Sequence, residues 1–367
     1  MRILFVGTNQ SLIFQRWVGW FIENTDYVIG IAGKKMNYQS GALFYDFSFP
    51  KGNDTQKTSF NGYFQQILML KKIIRKFKPD IIHVHSVFLY GILISLATNK
   101  KYIVTAWGSD VLYNVKQSFI IRILTSLSLK KASLITVESE YVKKACTSLG
   151  AKEEKIYNIQ FGIDKIYHSD DFSFLSYKDL KKEIIVFPRG ISSLYNISVF
   201  IDSLKDVLKN NKNVLFIIKY LNNHQNHQNI SKIINELESK NISKENYKII
   251  GELSYQQLIN LYSVSKIIVS IPSSDSISIS LIEAMRMGAV PIVSDIPANR
   301  EVVNCNELII PINSKKLSDT ICLILSDYNK YKQKILLKTK ELIEKFDRKR
   351  NMGKVISIYE RFVENGK

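Results

Sequence analysis

Short apolar runs alternate along the chain with longer segments in which apolar residues recur at helical spacing. The apolar runs of the first half are RILFVG, YVIGIA, PDIIHVH, KYIVTAW and ASLITVES, and those of the second half are EIIVFPRG, NVLFIIKY, YKIIGEL, KIIVSIP, AVPIVSD and ELIIP. Strands that are apolar throughout are typical of parallel sheets covered by helices on both faces. The pattern therefore predicts an α/β protein with two doubly wound, Rossmann-like parallel sheets.

Domain boundaries follow from a break in this pattern. A chain of 367 residues exceeds what one hydrophobic core usually supports, so two domains facing a central cleft are expected. Residues 164–182 lack core periodicity, which is typical of a connector. We predict an N-terminal domain over residues 1–165, a linker over 166–182 and a C-terminal domain over 183–340. Residues 341–367 have helical spacing and either end the second domain or cross back onto the first.

The charge balance indicates an anionic partner. Lys and Arg total 51 against 33 Asp and Glu, which gives a formal net charge of +18. Nucleotide phosphate, acidic lipid and nucleic acid are the classes that such a charge favours. Residues 1–165 carry 22 basic and 11 acidic residues, and the rest of the chain carries 29 and 22. The excess favours a basic face on the N-terminal domain, and a Lys-rich surface that only maintains solubility is the alternative.

Cysteine usage and the longest uncharged segment bear on location. Cys146, Cys305 and Cys322 are too few and too far apart for a disulfide framework or a zinc site, so a reducing compartment is expected. The opening MRILFVG is predicted to be a core strand rather than a signal segment. The uncharged stretch of residues 86–99 is too short to span a bilayer. We therefore expect a cytoplasmic protein whose membrane contact is peripheral.

One helix-like run, over residues 115–133, combines apolar residues with Lys116, Arg122, Lys130 and Lys131. It is either an amphipathic helix for a membrane surface or a core helix with a basic edge. The basic cluster at residues 71–78 favours the first alternative. A peripheral position at the inner face of a membrane that carries anionic lipid is therefore expected.

Polar residues that follow strands are the candidates for chemistry, because ligands of open parallel sheets bind beyond the carboxyl ends of strands. Gly7 follows the first strand and is either a place where backbone N–H groups approach a phosphate or simply a tight turn. His85 is expected to reach the ligand edge, with a core histidine as the alternative. Asp110, after residues 107–109, is a candidate proton acceptor or ligand of hydroxyl groups, and a helix cap is its alternative role. Asp110 is expected on the acceptor side of the site, together with Trp107, Gly108 and Ser109, which directly precede it.

In the second half, basic side chains follow two strands. Arg189 comes directly after EIIVFP, and a guanidinium at a strand end suits a diphosphate whose charge grows as a leaving group departs. Lys219 ends NVLFIIK and is either a second cation for the same group or an ordinary surface lysine.

The segment from Ser270 to Asp295 is the most informative. A strand ends near Pro272, a serine-rich loop follows, and a helix then carries Glu283 until Gly288 stops it. Asp275 lies in the loop and Glu283 in the helix, so both carboxylates are expected at one ligand site. The helix N-terminus offers N–H groups and positive potential to phosphate and sugar oxygens. The residues expected around that N-terminus are Ser276, Ser278, Ile279 and Ser280.

This segment resembles glycosyltransferase family 4, whose members are retaining enzymes of the GT-B fold. The similarity lies in two acidic residues separated by seven others, Asp275 and Glu283, followed by a small-residue helix and a Gly-x-x-Pro strand from Gly288. Gly162-Ile163-Asp164 and Arg189 extend the resemblance. It implies that Glu283 binds the donor ribose, Asp275 and the following backbone hold the transferred sugar, and Arg189 neutralises the diphosphate.

The chain departs from the family pattern at three places. The first acidic residue is Asp275 rather than glutamate, and the lysine expected a few residues after Arg189 is replaced within SSLYNIS. Trp107 stands where many members carry a histidine, and an indole cannot shuttle a proton. The resemblance therefore leaves the catalytic base of the N-terminal domain open.

The expected reaction is transfer of a hexose or N-acetylhexosamine from a nucleotide-sugar, with UDP as the expected nucleotide, to a surface-glycan or polyprenyl-diphosphate-linked acceptor. The N-terminal domain would bind the acceptor and the C-terminal domain the donor. No Asp-x-Asp motif occurs, so neither a metal nor another cofactor is expected. The alternatives are a sugar-nucleotide 2-epimerase of the same fold and a non-enzymatic nucleic-acid-binding protein. No nucleic-acid module signature supports the second alternative, so nucleic acid is not an expected partner.

Overall fold

The computed structural model describes residues 1–8, 11–33, 41–47, 60–164, 171–220 and 224–364, and for residues 12, 60, 61 and 224–228 it describes the backbone only. The chain divides into two compact units. The first contains Met1–Phe161 and Arg350–Lys367, and the second contains Gly162–Lys349.

The first unit is built on a parallel sheet of seven strands in the order β3-β2-β1-β4-β5-β6-β7. The strands are β1 (Arg2–Val6), β2 (Val28–Gly33), β3 (Ala42–Asp46), β4 (Ile81–His85), β5 (Ile103–Ala106), β6 (Leu134–Val137) and β7 (Ile156–Asn158). The chain runs outward in one direction from β1 and in the other from β4. This reversal creates a topological switch point between β1 and β4.

Helices cover both faces of the first sheet. They are α1 (Leu12–Asn24), α2 (Phe60–Phe77), α3 (Ile92–Ala97), α4 (Ser109–Leu112), α5 (Asn114–Gln117), α6 (Phe119–Lys131) and α7 (Glu140–Ser148), with a π-helical turn over Val87–Gly91 and a 3-10 turn over Glu153–Lys155. The last helix, α16 (Arg348–Glu364), returns to this unit from Arg350 onward. Its Tyr359 is buried and stacks on Phe21 of α1, with ring centroids 5.4 Å apart.

The second unit repeats the plan with six parallel strands in the order β10-β9-β8-β11-β12-β13. They are β8 (Glu183–Phe187), β9 (Val214–Lys219), β10 (Tyr247–Ile250), β11 (Ser265–Ser270), β12 (Val290–Ser294) and β13 (Ile309–Ile310). The helices are α8 (Tyr177–Leu180), α9 (Ile197–Asn210), α10 (His224–Ser239), α11 (Tyr255–Val264), α12 (Ile279–Arg286), α13 (Pro297–Arg300), α14 (Ser314–Ser326) and α15 (Tyr328–Lys345), with 3-10 turns over Ser193–Tyr195 and Asn306–Leu308. The two sheets confirm the predicted architecture of two doubly wound α/β domains.

The expected linker over residues 166–182 packs, in its described part, on the second unit. Asn260 of α11 donates a side-chain hydrogen bond of 2.8 Å to the Asp171 carbonyl. Lys248 of β10 forms an ion pair of 2.5 Å with Asp179 of α8. These contacts connect residues 171–182 to the second unit, which spans Gly162–Lys349.

The Gly162-Ile163-Asp164 segment requires its glycine. Gly162 has a φ of +80°, and a Cβ there would lie 2.6 Å from the carbonyl oxygen of Phe346. Asp164 forms an ion pair with Arg348, and its carbonyl accepts a hydrogen bond of 3.3 Å from Arg286. The segment is therefore tied to the last residues of the second unit and to the end of α12.

Each helix that the structure describes is too short or too polar to cross a membrane.

Candidate functional site

The switch point of the second sheet lies between β8 and β11, which pair directly through Val186 and Ile268. Residues after these two strands meet at one edge of the sheet, because parallel strands share the direction of their carboxyl ends. Arg189 follows β8, and the serine-rich loop that leads into α12 follows β11. The fold thus brings together the two segments of the second half that were predicted to carry site residues.

Arg189 connects the two segments. Its Nη2 lies 2.5 Å from Oδ2 of Asp275, and its Nη1 donates a hydrogen bond of 2.7 Å to Oγ of Ser278. The guanidinium also lies over the ring of Tyr195, 4.4 Å from the centroid. The side chains of Arg189 and Asp275 are 15% and 22% exposed, so the pair is largely withdrawn from water. The Nε of Arg189 is buried without a hydrogen-bond partner among the described residues.

Burial sets the electrostatics of this pair. It raises the pKa of Asp275 above its ordinary value, although the charge of Arg189 and the N–H of Ser276 act in the opposite direction. Burial lowers the pKa of Arg189, but the charge of Asp275 together with the contributions of Tyr195 and Tyr262 outweighs it, and the net shift is upward. An arriving anion would therefore meet a guanidinium in a low-dielectric environment.

The N-terminus of α12 lies at the same place. Ser278 occupies the N-cap position, yet its side chain makes no capping hydrogen bond. Its hydroxyl instead contacts Arg189 and lies 2.9 Å from the hydroxyl of Ser280. The first N–H groups of the helix, from Ile279 onward, therefore keep their positive potential directed at the loop. Ser276 is buried, and its N–H donates to Oδ1 of Asp275 at 2.9 Å.

Glu283 lies in the second turn of α12 and is buried. It lies close to Tyr262 of α11, whose pKa is raised well above its ordinary value by burial first and by the charge of Glu283 second. Arg189 and a hydrogen bond with Ser280 act on the same hydroxyl in the opposite direction. Tyr262 thus stands among three predicted site residues.

Tyr195 and Tyr262 also belong to this group of residues, although neither was predicted from the sequence. Tyr195 lies six residues after Arg189, where the family pattern expects a lysine nearby. An aromatic residue so close to a strand-end cation was an available signal, because a guanidinium packs favourably on an aromatic face. Tyr262 lies on α11 among apolar residues, and its position in sequence gives no such signal.

Lys219 lies at the same sheet edge, one strand from Arg189, because Phe187 of β8 pairs with Ile218 of β9. Burial lowers the pKa of Lys219, and the charge of Glu252 partly restores it. Its expected role as a second cation stays a prediction.

In the first unit, Gly7 has a structural explanation. Its N–H donates a hydrogen bond of 3.2 Å to the Ala32 carbonyl, and the approach of other backbone N–H groups to a phosphate at this position stays a prediction. A Cβ at Gly7 would lie 2.7 Å from the buried ring of Phe14. The glycine allows α1 to approach the sheet closely.

Replacing Gly7 by alanine is expected to destabilise the chain by about 1–3 kcal/mol, because the buried Phe14 ring must move. Gly19→Ala is the matched control, because a Cβ added to Gly19 of α1 would have no neighbouring atom within 4 Å. The control should raise the free energy of unfolding by about 0.5–1 kcal/mol, since glycine in a helix interior is less stable than alanine. Urea unfolding of both variants measures the difference, and equal midpoints would refute the packing explanation.

His85 was expected to reach the ligand edge of the sheet, but its side chain is buried. It is buried among the rings of Phe14, Trp17 and Trp107, with centroid distances of 5.0, 5.2 and 5.5 Å. Burial, with a smaller contribution from His83, lowers the pKa of His85 well below its ordinary value. The structure therefore places His85 in an aromatic core, but neither of its ring nitrogens has a hydrogen-bond partner among the described residues, so it is not the satisfied core histidine of the alternative.

The neighbouring His83 is buried as well. Its Nδ1 shares a hydrogen bond with the Tyr359 hydroxyl, and its Nε2 lies 2.7 Å from Oγ1 of Thr105. Burial lowers the pKa of His83 to about 3. It is a core histidine that joins β4 to α16.

Asp110 acts as a backbone acceptor. Its carboxylate accepts hydrogen bonds of 2.8 Å from the N–H of Val87 and 3.0 Å from that of Gly108. Burial raises its pKa to about 6, although these N–H groups lower it. The carboxylate holds the loop after β5 to the π-helical turn, so we do not retain Asp110 as a catalytic base. Of its neighbours, Trp107 stacks on His85 and Ser109 is exposed.

Ser86 is a feature of this edge that the sequence did not reveal. It follows β4 directly and has a φ of +94°, a conformation that residues with a side chain rarely adopt. The π-helical turn over Val87–Gly91 begins immediately after it. Strained backbone and π-helical turns are frequent at functional sites. The Ser86 backbone and the turn over Val87–Gly91 lie at the switch point of the first sheet.

The fold resembles several solved structures over almost the whole chain. A sucrose-phosphate synthase from Thermosynechococcus elongatus is 13% identical, with a TM-score of 0.83 and coverage of 100% of both chains. Anabaena HepE in complex with UDP and glucose is 14% identical, with a TM-score of 0.78 and coverage of 98% of this chain and 100% of that one. A glycosyltransferase from Rickettsia africae is 19% identical, with a TM-score of 0.74 and coverage of 99% of each chain. These likenesses show the GT-B fold.

Family models match both halves of the sequence. Residues 2–139 match the glycosyl transferase 4-like family, and residues 169–336 match the glycosyl transferases group 1 family. No curated protein matches the chain. With both models matched and the fold of two parallel-sheet units in place, the chain belongs to the group 1, family 4-like glycosyltransferases of the GT-B type.

Proposed function

We propose that the chain is a retaining glycosyltransferase that moves a hexose or N-acetylhexosamine from a UDP-sugar to a glycan acceptor. The observation that carries the proposal is the contact of Arg189 with Asp275 and Ser278 at the N-terminus of α12. A guanidinium and a helix N-terminus at one strand edge are a site for a diphosphate.

Each group of this site has a task in the reaction. Arg189 and the N–H groups of α12 stabilise the charge that develops on the diphosphate as the bond between sugar C1 and phosphate oxygen breaks. Asp275 and the backbone after it hold the hydroxyl groups of the transferred sugar, and Glu283 accepts hydrogen bonds from the ribose. The acceptor oxygen bonds to C1 on the face that the diphosphate leaves. Its proton passes to the departing phosphate oxygen, so that UDP is the second product.

The choice of UDP rests on structural neighbours. Anabaena HepE was solved with UDP, with UDP and glucose, and with UDP-glucose. A trehalose-6-phosphate enzyme from E. coli, which is 9% identical to this chain, was solved with UDP-2-fluoro glucose. These structures share the fold with this chain, and a UDP-sugar is therefore the first donor to test.

The acceptor that we propose is a polyprenyl-diphosphate-linked or growing surface glycan, met in the cytoplasm at the inner face of the cell membrane. The net charge of +18 favours such an anionic acceptor and surface. The first unit would bind the acceptor. We further propose that transfer needs no metal, because Arg189 and the α12 N-terminus neutralise the leaving group.

A donor panel tests the proposal. The full chain is incubated with UDP-, GDP- and TDP-sugars in EDTA, with and without a polyprenyl-diphosphate sugar, and nucleoside diphosphate release is measured. We expect UDP release that the acceptor accelerates, and a product whose anomeric configuration matches the donor by NMR. Release from none of the donors would refute the proposal, and epimerised donor without a new glycosidic bond would identify a sugar-nucleotide 2-epimerase instead.

A further inference from the structure

Helix α6 buries two hydroxyl side chains and exposes several large apolar side chains. Thr125, Ser128 and Leu129 are fully buried against the unit. The hydroxyls of Thr125 and Ser128 are among the buried polar atoms without a hydrogen-bond partner in the described part of the chain. A surface helix of a soluble protein normally directs its apolar stripe to the core.

Four large apolar side chains occupy the solvent side of α6. Phe119 is 76% exposed, Ile120 67%, Leu127 54% and Ile123 42%. Isolated apolar residues on a surface need no explanation, but a group on one helix marks an interaction site. A groove of about 730 Å³ extends this surface from Phe119 towards α7, where Tyr141 lies.

The rim of this apolar surface is basic. Lys116, Arg122 and Lys130 on α5 and α6 and Lys144 on α7 are exposed. These four residues also line the two grooves beside α6, and no acidic side chain is among the described residues that line them. An apolar surface with cations at its border is complementary to anionic lipid, in which acyl chains lie behind negative headgroups.

The neighbouring helices continue the same character. Helix α3 packs against α6, and α2 packs against α3. Leu96 of α3 is 56% exposed, as is Phe64 of α2. Exposed Lys72 and Arg75 also lie on α2. Adjacent helices with exposed apolar residues and cations provide a surface rather than a single anchoring point.

We propose that the exposed face of α6, formed by Phe119, Ile120, Ile123 and Leu127 with its basic rim, docks on an anionic lipid bilayer. The apolar side chains enter the boundary between headgroups and acyl chains, and Lys116, Arg122, Lys130 and Lys144 bind the lipid phosphates. The exposure of these apolar side chains on α6 is explained because the lipid would cover them.

The apolar part is tested by vesicle co-sedimentation of the full chain. The probe is a vesicle of phosphatidylglycerol and phosphatidylcholine, with phosphatidylcholine alone for comparison. Phe119→Ser with Ile120→Ser is expected to weaken binding to the anionic vesicle by roughly 10- to 100-fold, because two apolar side chains are lost. Leu337→Ser is the matched control, since Leu337 of α15 is 66% exposed and Ile120 is 67% exposed. The control should bind like the unchanged chain.

The charged part is tested with Lys116→Gln and Arg122→Gln. Each lost charge should weaken binding to anionic vesicles by about fivefold at low salt, and the loss should shrink as salt rises. Lys212→Gln with Lys232→Gln, two exposed cations of the second unit, should leave binding unchanged.

Two outcomes would overturn the proposal. One is equal binding by the α6 variants and their controls. The other is a chain that binds neither vesicle but self-associates through this face. In that case the Phe119→Ser, Ile120→Ser variant would be monomeric in analytical ultracentrifugation. Because vesicle binding is measured without a donor, it is independent of the proposed transfer. A chain that transfers no sugar can still bind vesicles, and one that binds no vesicles can still transfer sugar.

Discussion

Arg189→Ala is expected to lower kcat for sugar transfer about 100- to 1,000-fold, the usual effect of removing one preorganised donor to a developing negative charge. Arg189 reaches two partners with its two terminal nitrogens, Asp275 at 2.5 Å and Ser278 at 2.7 Å. It is therefore fixed in orientation before the donor binds. Steady-state kinetics with the donor identified by the panel measures the effect.

Arg189→Lys separates charge from geometry. Lysine keeps the positive charge but cannot contact two groups in one plane, so its kcat should lie between those of the unchanged chain and the alanine variant. Arg300→Ala is the matched control, because Arg300 also pairs with an aspartate of the same unit, Asp295, at 2.6 Å. The assignment fails if Arg189→Ala keeps the kcat of the Arg300→Ala variant while both show the same unfolding midpoint.

The fold could be predicted from the sequence because most strands are buried on both faces. All six strands of the second unit and β1, β2, β4, β5 and β6 of the first coincide with continuous apolar runs. The apolar pattern did not predict two strands, β3 and β7, which are the edges of the first sheet. Edge strands are covered on fewer sides, and ALFYD and IYN accordingly mix apolar with polar residues.

The candidate site could be predicted only where strand-end position and chemistry agree. Arg189 and Asp275 follow adjacent strands at a switch point, and the structure brings their side chains together. His85 and Asp110 occupy equivalent positions in the first unit, yet both are buried. Position after a strand does not tell whether backbone N–H groups or aromatic rings of the same unit already surround a side chain. That information lies in tertiary packing.

The polarity of α6 shows the same limit. Its sequence gave two alternatives, a membrane-surface helix and a core helix with a basic edge. Only the burial of Thr125 and Ser128 and the exposure of Phe119 and Ile120 reveal which side faces the unit. Both sides of the helix contain apolar residues, so spacing alone could not identify the buried side.

Glu283→Ala is expected to weaken UDP binding about 10- to 100-fold, because a charged acceptor for the ribose hydroxyls is lost and such hydrogen bonds contribute about 1.5–3 kcal/mol. Glu283 is buried beside Tyr262 in the second turn of α12, a position that packing fixes. Isothermal titration with UDP measures the loss. Glu138→Ala is the control, since Glu138 is a buried glutamate of the first unit that accepts a hydrogen bond of 3.2 Å from the Phe161 N–H. It should lower the unfolding midpoint and leave UDP affinity unchanged.

The comparison of UDP with the complete UDP-sugar assigns the two carboxylates separately. If Glu283 holds the ribose, Glu283→Ala loses affinity for both ligands by the same factor, because both contain ribose. If Asp275 holds the sugar, Asp275→Ala loses affinity for the UDP-sugar but not for UDP. UDP affinity should even rise, since Arg189 is then released from its 2.5 Å ion pair and can turn fully to the diphosphate. Equal losses of UDP affinity in both variants would contradict this assignment. They would mean that both carboxylates maintain the structure of the UDP site and do not bind two separate parts of the donor.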